Sequence, residues 1–143
     1  MSKFDRFMKR NKIEKHNELY AATKSIVDEN GIPVLWEFKH LTSKTVNSIR
    51  EDCMKQIPVK GKPGMYMPKL NVSEYTHKLI VASVVTPDLY DAELQDSYGV
   101  KTPDDLLYAI MDNPCEYMEL VNFVQKLQGL DVTLEEKVEE AKN

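Results

Sequence analysis

Apolar residues fall along this chain in two distinct periods, and the change of period marks where strands give way to helices. Between residues 34 and 39, Val34, Trp36 and Phe38 alternate with Leu35, Glu37 and Lys39. That period of two belongs to a strand with one covered face. The stretches Leu19 to Val27 and Pro33 to Leu41 flank Asp28-Glu29-Asn30-Gly31. An Asn-Gly pair suits a tight turn in which both central residues take positive φ, so the pattern predicts an N-terminal β-hairpin. A lone hairpin is marginal in water and needs a packing partner.

From residue 42 onward the period becomes helical. Thr42 or Ser43 can cap a helix running to Gln56, with Val46, Ile49, Cys53 and Met54 as its apolar stripe. Pro58, Gly61, Pro63, Gly64 and Pro68 then crowd residues 57–72, which read as a loop or irregular hairpin. Ser73 is the expected cap of the next helix. Tyr75, Leu79, Ile80, Ala82, Val84 and Val85 make that helix apolar nearly all round, so it belongs at the centre of the fold. It should stop at Thr86, because Pro87 disfavours helical backbone in the residue before it.

Three more starts follow. Asp91 caps a short helix through Tyr98, closed by Gly99, while Thr102-Pro103 and Asn113-Pro114 each place a capping side chain before a proline at the first helical position. The last of these helices carries Tyr117, Leu120, Val121, Val124 and Leu127 on one face and ends at Gly129. The fold class is α+β, mainly helical, with one N-terminal β-hairpin packed on a bundle of about five helices. Residues 1–18 form an arm, 19–129 a single globular domain and 130–143 a C-terminal segment. In the arm, Phe4, Phe7 and Met8 have the spacing of a short amphipathic turn.

With 143 residues, 42% hydrophobic and 29% charged, the chain has the composition of one folded domain rather than of a disordered segment. No apolar run approaches the roughly 18 residues that span a bilayer, and the N-terminus lacks the apolar stretch of a secretory signal. Cys53 and Cys115 are read as buried thiols of a reducing compartment.

The net charge of −4 is unevenly spread. Residues 1–18 carry six bases against three acids, and residues 55–69 carry Lys55, Lys60, Lys62 and Lys69 with no acid. Residues 88–119 carry nine acids against Lys101 alone, and residues 131–143 carry five acids against two lysines. An acidic total with short basic stretches argues against nucleic-acid binding. Segregated charge of this kind can also orient subunits or a charged partner.

The chemistry of known catalytic motifs is missing. His16, His40 and His77 each lack a second ligand at metal-binding spacing. Gly61-Lys62-Pro63-Gly64 has neither the spacing nor the Lys-Ser/Thr pair of a phosphate loop. Asp104 and Asp105 are accounted for by a helix N-terminus, and Asp91, Glu93 and Asp96 by a solvated face. No cofactor, metal site or catalytic residue is expected, and the chain reads as a binding protein.

Its first candidate binding surface is the C-terminal segment. Thr133 can cap a helix with Leu134, Val138 and Ala141 on one side and Glu135, Glu136, Glu139 and Glu140 on the other. So short a helix is marginal alone, so Leu130, Val132, Leu134 and Val138 form a stripe that needs something to dock on. The second candidate is Met65-Tyr66-Met67, whose side chains suit adaptable contacts.

Residues 82–100, ASVVTPDLYDAELQDSYGV, resemble closely a block of the XkdN-like tail assembly chaperones of phages and defective prophages of Gram-positive bacteria. The resemblance extends to PVLWEFKHLT at 33–42, KGKPGMYMPKLN at 60–71 and NPCEYMELVNFVQKLQGLD at 113–131. It implies a non-virion, self-associating protein of the host bacterial cytoplasm. Such a chaperone holds the tape measure protein in solution during tail assembly, helps recruit tail tube subunits, and is then released. The alternatives are a structural tail component retained in the particle, such as a completion or adaptor protein, and a small regulator whose basic arm contacts DNA.

Overall fold

The computed structural model describes residues 2–130. Five helices and two small antiparallel sheets make an α+β fold. The first sheet has the order β1-β2-β5, from Glu18–Tyr20, Trp36–Phe38 and Val84–Thr86. Strands β1 and β2 pair antiparallel with Tyr20 opposite Trp36, so the expected N-terminal hairpin exists, but its two strands are short and its connection is long. The Asn-Gly turn differs from the expected form. Gly31 alone has positive φ (79°), and the Asp28 carboxylate accepts from the backbone N–H groups of Asn30 and Ile32 at 2.8 and 3.0 Å. That side chain does the turning, so Asn30 need not adopt a left-handed conformation.

Helix α1 (Ser43–Asp52) starts as expected, with the Thr42 hydroxyl accepting from the Thr45 N–H at 3.2 Å. It ends four residues before Gln56, because Met54–Pro58 forms β3 and pairs in register with β4 (Tyr66–Leu70). The loop expected over 57–72 is therefore largely a regular ribbon. Helix α2 (Val72–Ser83) is capped by Asn71, not Ser73: the Asn71 side chain accepts from the Glu74 N–H. It also stops at Ser83, not Thr86. Val84, Val85 and Thr86 are β-branched, a class that strands favour, and Phe38 and Glu37 of β2 offer them hydrogen-bonding partners. The Thr86–Pro87 bond is cis.

Helices α3 (Ala92–Ser97), α4 (Pro103–Ile110) and α5 (Pro114–Leu127) begin where the sequence places them. Asp91, Thr102 and Asn113 each accept from the N–H three residues on. Two of them end on a glycine with a paired return: Gly99 and Val100 bond back to Asp96 and Gln95, and Gly129 and Leu130 to Lys126 and Gln125. Positive φ at Gly99 (70°) and Gly129 (72°) is what this helix stop requires.

The core gathers around α2. Leu79, Ile80 and Val81 are buried among Trp36, Phe38, Leu89, Leu106, Leu107, Leu120 and Val124. An aromatic group joins the sheet to α5: Tyr20 stacks on Phe123 at 4.2 Å between centroids, and Phe38 meets Phe123 edge-on at 5.0 Å. Helix α5 presents Leu120, Val121 and Val124 inward, as its period predicts, with Tyr117 and Leu127 half-buried. By contrast Phe4 and Phe7 of the arm stay exposed, meeting edge-on at 6.2 Å between centroids across one short turn.

Three polar side chains close the core. Gln128 donates to the Lys39 carbonyl and the Ser83 hydroxyl at 2.9 and 3.0 Å and accepts from the Leu41 N–H at 2.7 Å. Ser83 in turn donates to the Leu79 carbonyl. His77, 3% exposed, lies flat on Tyr108 at 3.8 Å. Its Nε2 is 2.8 Å from the Asp104 carbonyl, which can only accept, so Nε2 carries the proton and Nδ1 accepts from the Tyr117 hydroxyl at 2.8 Å. One neutral imidazole thus links α2, α4 and α5.

Two predictions follow from this core. Phe38→Ala removes a fully buried ring and should cost about 3–5 kcal/mol in chemical denaturation. Burial, partly opposed by the Asp104 carbonyl, holds the His77 pKa below 6.5. The unfolded chain then takes up the proton first, so His77 stabilises fully above about pH 6.5 and its contribution is lost as pH falls through the folded value. Melting temperature should fall as the pH is lowered from 7.5 to 5, and His77→Gln should flatten that slope as well as lowering stability at pH 7.5.

Candidate functional site

Surfaces built for contact are those the packing leaves bare, and the most prominent is the β3–β4 ribbon. Its register sets Met54 opposite Leu70, Lys55 opposite Lys69, Ile57 opposite Met67 and Pro58 opposite Tyr66. The turn is closed by backbone bonds from Val59 to Met65, Lys62 to Val59 and Met65 to Lys62, with Gly61 and Gly64 both at positive φ. Gly61-Lys62-Pro63-Gly64 is therefore the tip of a ribbon and holds its own backbone.

Among the described residues the ribbon is tied to the body at its base, where the Asn71 N–H bonds to the Cys53 carbonyl and Lys55 meets Glu74 of α2. Beyond Val59 every residue to Lys69 is exposed, including Met65, Tyr66 (62%) and Met67. These three do not pack over their own core. Opposite residues share a face, so Lys55, Ile57, Met67 and Lys69 form one side of the ribbon. Lys55 reaches Glu74 at 3.5 Å, whereas Lys60, Lys62 and Lys69 make no ion pair among the described residues. Pro58 and Pro68 withdraw N–H donors from the strands, which discourages strand addition.

A second bare surface was missed by the sequence reading. Val27, Ile32, Val34 and Leu35 (54%) are all exposed around the turn that joins β1 to β2. The signal was present in the alternation itself: Leu35 must face away from Trp36, and among the described residues that side is left exposed. Glu116 pins the start of this segment, accepting from the Thr23 hydroxyl and the Lys24 N–H, both at 2.8 Å. The Lys24 N–H and then the Thr23 hydroxyl hold its carboxyl below the usual glutamate range.

Of the third candidate, the C-terminal stripe, the structure describes one residue. Leu130 is exposed just after α5, while Val132, Leu134 and Val138 lie outside the described residues. Gln128 anchors this point beside Ser83, the C-terminal end of α2. The β3–β4 ribbon leaves from the N-terminal end, about 18 Å away along a twelve-residue helix.

Groups with catalytic chemistry are dispersed or already bonded. Among the described residues no three His, Cys, Asp or Glu side chains cluster as metal ligands would. Asp104 pairs with Lys78 at 3.0 Å, and Asp91 is engaged in its cap. Tyr117 is pushed well above the usual tyrosine range, first by burial and then by Tyr108. Both thiols are free, but only Cys53 is buried. Cys115 is exposed at the start of α5, contrary to expectation, because the second residue of that helix lies on its outer side. No helix among the described residues is long and apolar enough to cross a membrane.

Comparison with known proteins gives one consistent answer. The family model for the phage XkdN-like tail assembly chaperone protein matches residues 4–142. The uncharacterized protein YqbN of Bacillus subtilis (strain 168) is 25% identical over 137 residues, spanning 96% of this chain and 91% of that protein. The phage-like element PBSX protein XkdN of the same strain is 23% identical over the same spans. The crystal structure of YqbN has the same fold, with a TM-score of 0.73 at 18% identity over 92% of this chain and 99% of that one. Matched over nearly its whole length, the chain belongs to the phage XkdN-like tail assembly chaperone family.

Proposed function

We propose that this protein acts by binding, holding the tape measure protein in solution while a phage tail assembles and leaving before the particle is complete. Family membership sets the coarser role, assistance to tail assembly exercised on protein partners. The observation that supports the finer reading is the bare apolar side chains on two projecting turns of a domain whose net charge is −4. An unassembled tape measure protein, a long helical chain, exposes apolar faces that aggregate, and such faces need apolar contacts that water does not fill. A charged coat of many small copies keeps the complex dispersed. Many weak contacts hold together through avidity yet release when tube subunits compete for the same chain.

The proposed client contacts are Met65, Tyr66 and Met67 at the ribbon tip and Val27, Ile32, Val34 and Leu35 at the β1–β2 turn. The stripe Leu130, Val132, Leu134 and Val138 joins them as a helix-in-groove element. The reaction is association and release in the host bacterial cytoplasm, with no bond made or broken and no cofactor. The competing reading, a completion or adaptor component retained in the particle, makes the same surfaces permanent contacts. Mass spectrometry of purified particles separates the two, because a chaperone is absent from them.

Co-expression with the tape measure protein encoded beside this chain should give a soluble complex, where the tape measure protein alone is insoluble. Equal insolubility in both cases would remove the chaperone reading. Within that assay, Ile32→Ser with Leu35→Ser, or Met65→Ser with Tyr66→Ser, should cut recovery of the client about tenfold, equivalent to about 1.4 kcal/mol. Because these side chains are exposed, melting temperature should change little. Truncation after residue 129 should also weaken recovery, and unchanged recovery would remove the C-terminal stripe from the contact surface.

A further inference from the structure

We propose that the acidic segment of residues 131–143 seats within its own chain, in the groove between the basic N-terminal arm and the connection from β2 to α1. The arm contributes Lys12, Ile13 and Lys15 to that groove and the connection contributes His40, Leu41 and Thr42, around a volume of about 520 Å³. Ile13 is 88% exposed between the two lysines. Its side chain leaves water only if something lies over the groove. The charge of the arm is also largely unanswered. Arg10 pairs with Asp5, whereas Lys3, Arg6, Lys9, Lys12 and Lys15 make no ion pair among the described residues.

The point where the described chain ends selects the occupant. Gln128 accepts from the Leu41 N–H at 2.7 Å, and Leu41 lines the groove. Two residues on, the Leu130 N–H is tied back to the Gln125 carbonyl at 2.7 Å, so the segment that follows sets out from a fixed point near Leu41. Its charges complement those of the arm. Six bases against three acids leave residues 1–18 with an excess of three positive charges, and five acids against two lysines leave residues 131–143 with an excess of three negative ones. Val132, Leu134 and Val138 offer apolar side chains to Ile13 and Leu41. Thirteen residues reach about 20 Å as a helix and about 43 Å extended, ample for a groove that begins at Leu41.

Tethering decides between its own chain and other occupants. A segment held a few residues from its groove acts at an effective concentration on the order of millimolar, so even a weak contact closes it. The lysines of the β3–β4 ribbon are worse placed to receive it. The ribbon leaves from the start of α2, whereas Gln128 is bonded to Ser83 at the end of that helix. Opposite charges guide the segment to the arm and make its seating sensitive to salt. Seated there, Val132, Leu134 and Val138 are covered in the free protein, and a client that takes them must first lift the segment from the arm. That consequence rests on the proposed client contact, but the seating itself does not.

The test uses the full chain alone, with amide hydrogen exchange followed by mass spectrometry and amide signals by NMR. At about 0.05 M salt, residues 131–143 should exchange about tenfold slower than they do in Lys12→Gln/Ile13→Ser/Lys15→Gln, and about 0.5 M salt should remove most of that difference. Truncation after residue 130 should move the amide signals of residues 12–17 and 40–43 and leave those of the β3–β4 ribbon in place. The three substituted side chains are exposed, so melting temperature should not change. Three results would overturn the inference. One is unprotected exchange over residues 131–143 at low salt. Another is protection that the arm variant leaves intact, or truncation that moves the ribbon signals instead, either of which puts the segment elsewhere on the domain. The third is protection that grows with protein concentration, which assigns the segment to a second copy. No client is present, so none of these results bears on the co-expression assay, and a failure of that assay leaves the seating of the segment intact.

Discussion

The inner face of α2, from His77 to Ser83, has little water to offer its polar side chains. His77 and Ser83 are both buried on it, and each must find every partner inside the protein. The partners they find are the elements that would otherwise drift. His77 takes the Asp104 carbonyl and the Tyr117 hydroxyl, which fixes α4 and α5 against α2. Ser83 takes the Leu79 carbonyl and the Gln128 amide, which fixes the end of α5 against the junction of α2 with β5. Apolar burial gives this core its cohesion without regard to direction, and the two polar groups add the directions.

That arrangement leaves the outer turns free of structural duty. The β3–β4 ribbon touches the body at its base, and the β1–β2 turn is held chiefly at its root, where Thr23 and Lys24 meet Glu116. Ile26 of the β1–β2 connection packs against the core, while Ile32 and Leu35 of its turn and Met65 to Met67 of the ribbon stay exposed, so these outer residues can answer to contact rather than to packing. In a family defined by assistance to phage tail assembly, this division between a rigid centre and bare margins suits a protein whose work is done on other proteins.

Local signals located the elements well where the chemistry is local. Asp91, Thr102-Pro103 and Asn113-Pro114 start helices because a side-chain acceptor and a proline satisfy the first turn by themselves. Gly99 and Gly129 stop helices for an equally local reason. The errors arose where a distant partner decides. Met54 leaves α1 because Leu70 pairs with it, and Val84 leaves α2 because Phe38 does, and no window around either residue contains that information. At position 71 the choice was between two competent caps, and Asn71 wins while also accepting from the Ser73 hydroxyl. Of the candidate contact residues, Met65, Tyr66 and Met67 were legible by type and their exposure agrees. Leu35 was placed on the uncovered side of β2 by the alternation, but neither it nor Ile32 was read as a contact residue, because single apolar residues on a polar face are ordinary.

Gln128 gives the fold a mechanical property. Its amide is laced at once to Lys39 and Leu41 in the segment between β2 and α1 and to Ser83 at the end of α2, one residue before the glycine that ends α5. A pull delivered at Leu130 is therefore not borne by the last turn of α5 alone. It is shared among three hydrogen bonds that must shear together, so the load passes into the middle of the domain before any helix unwinds.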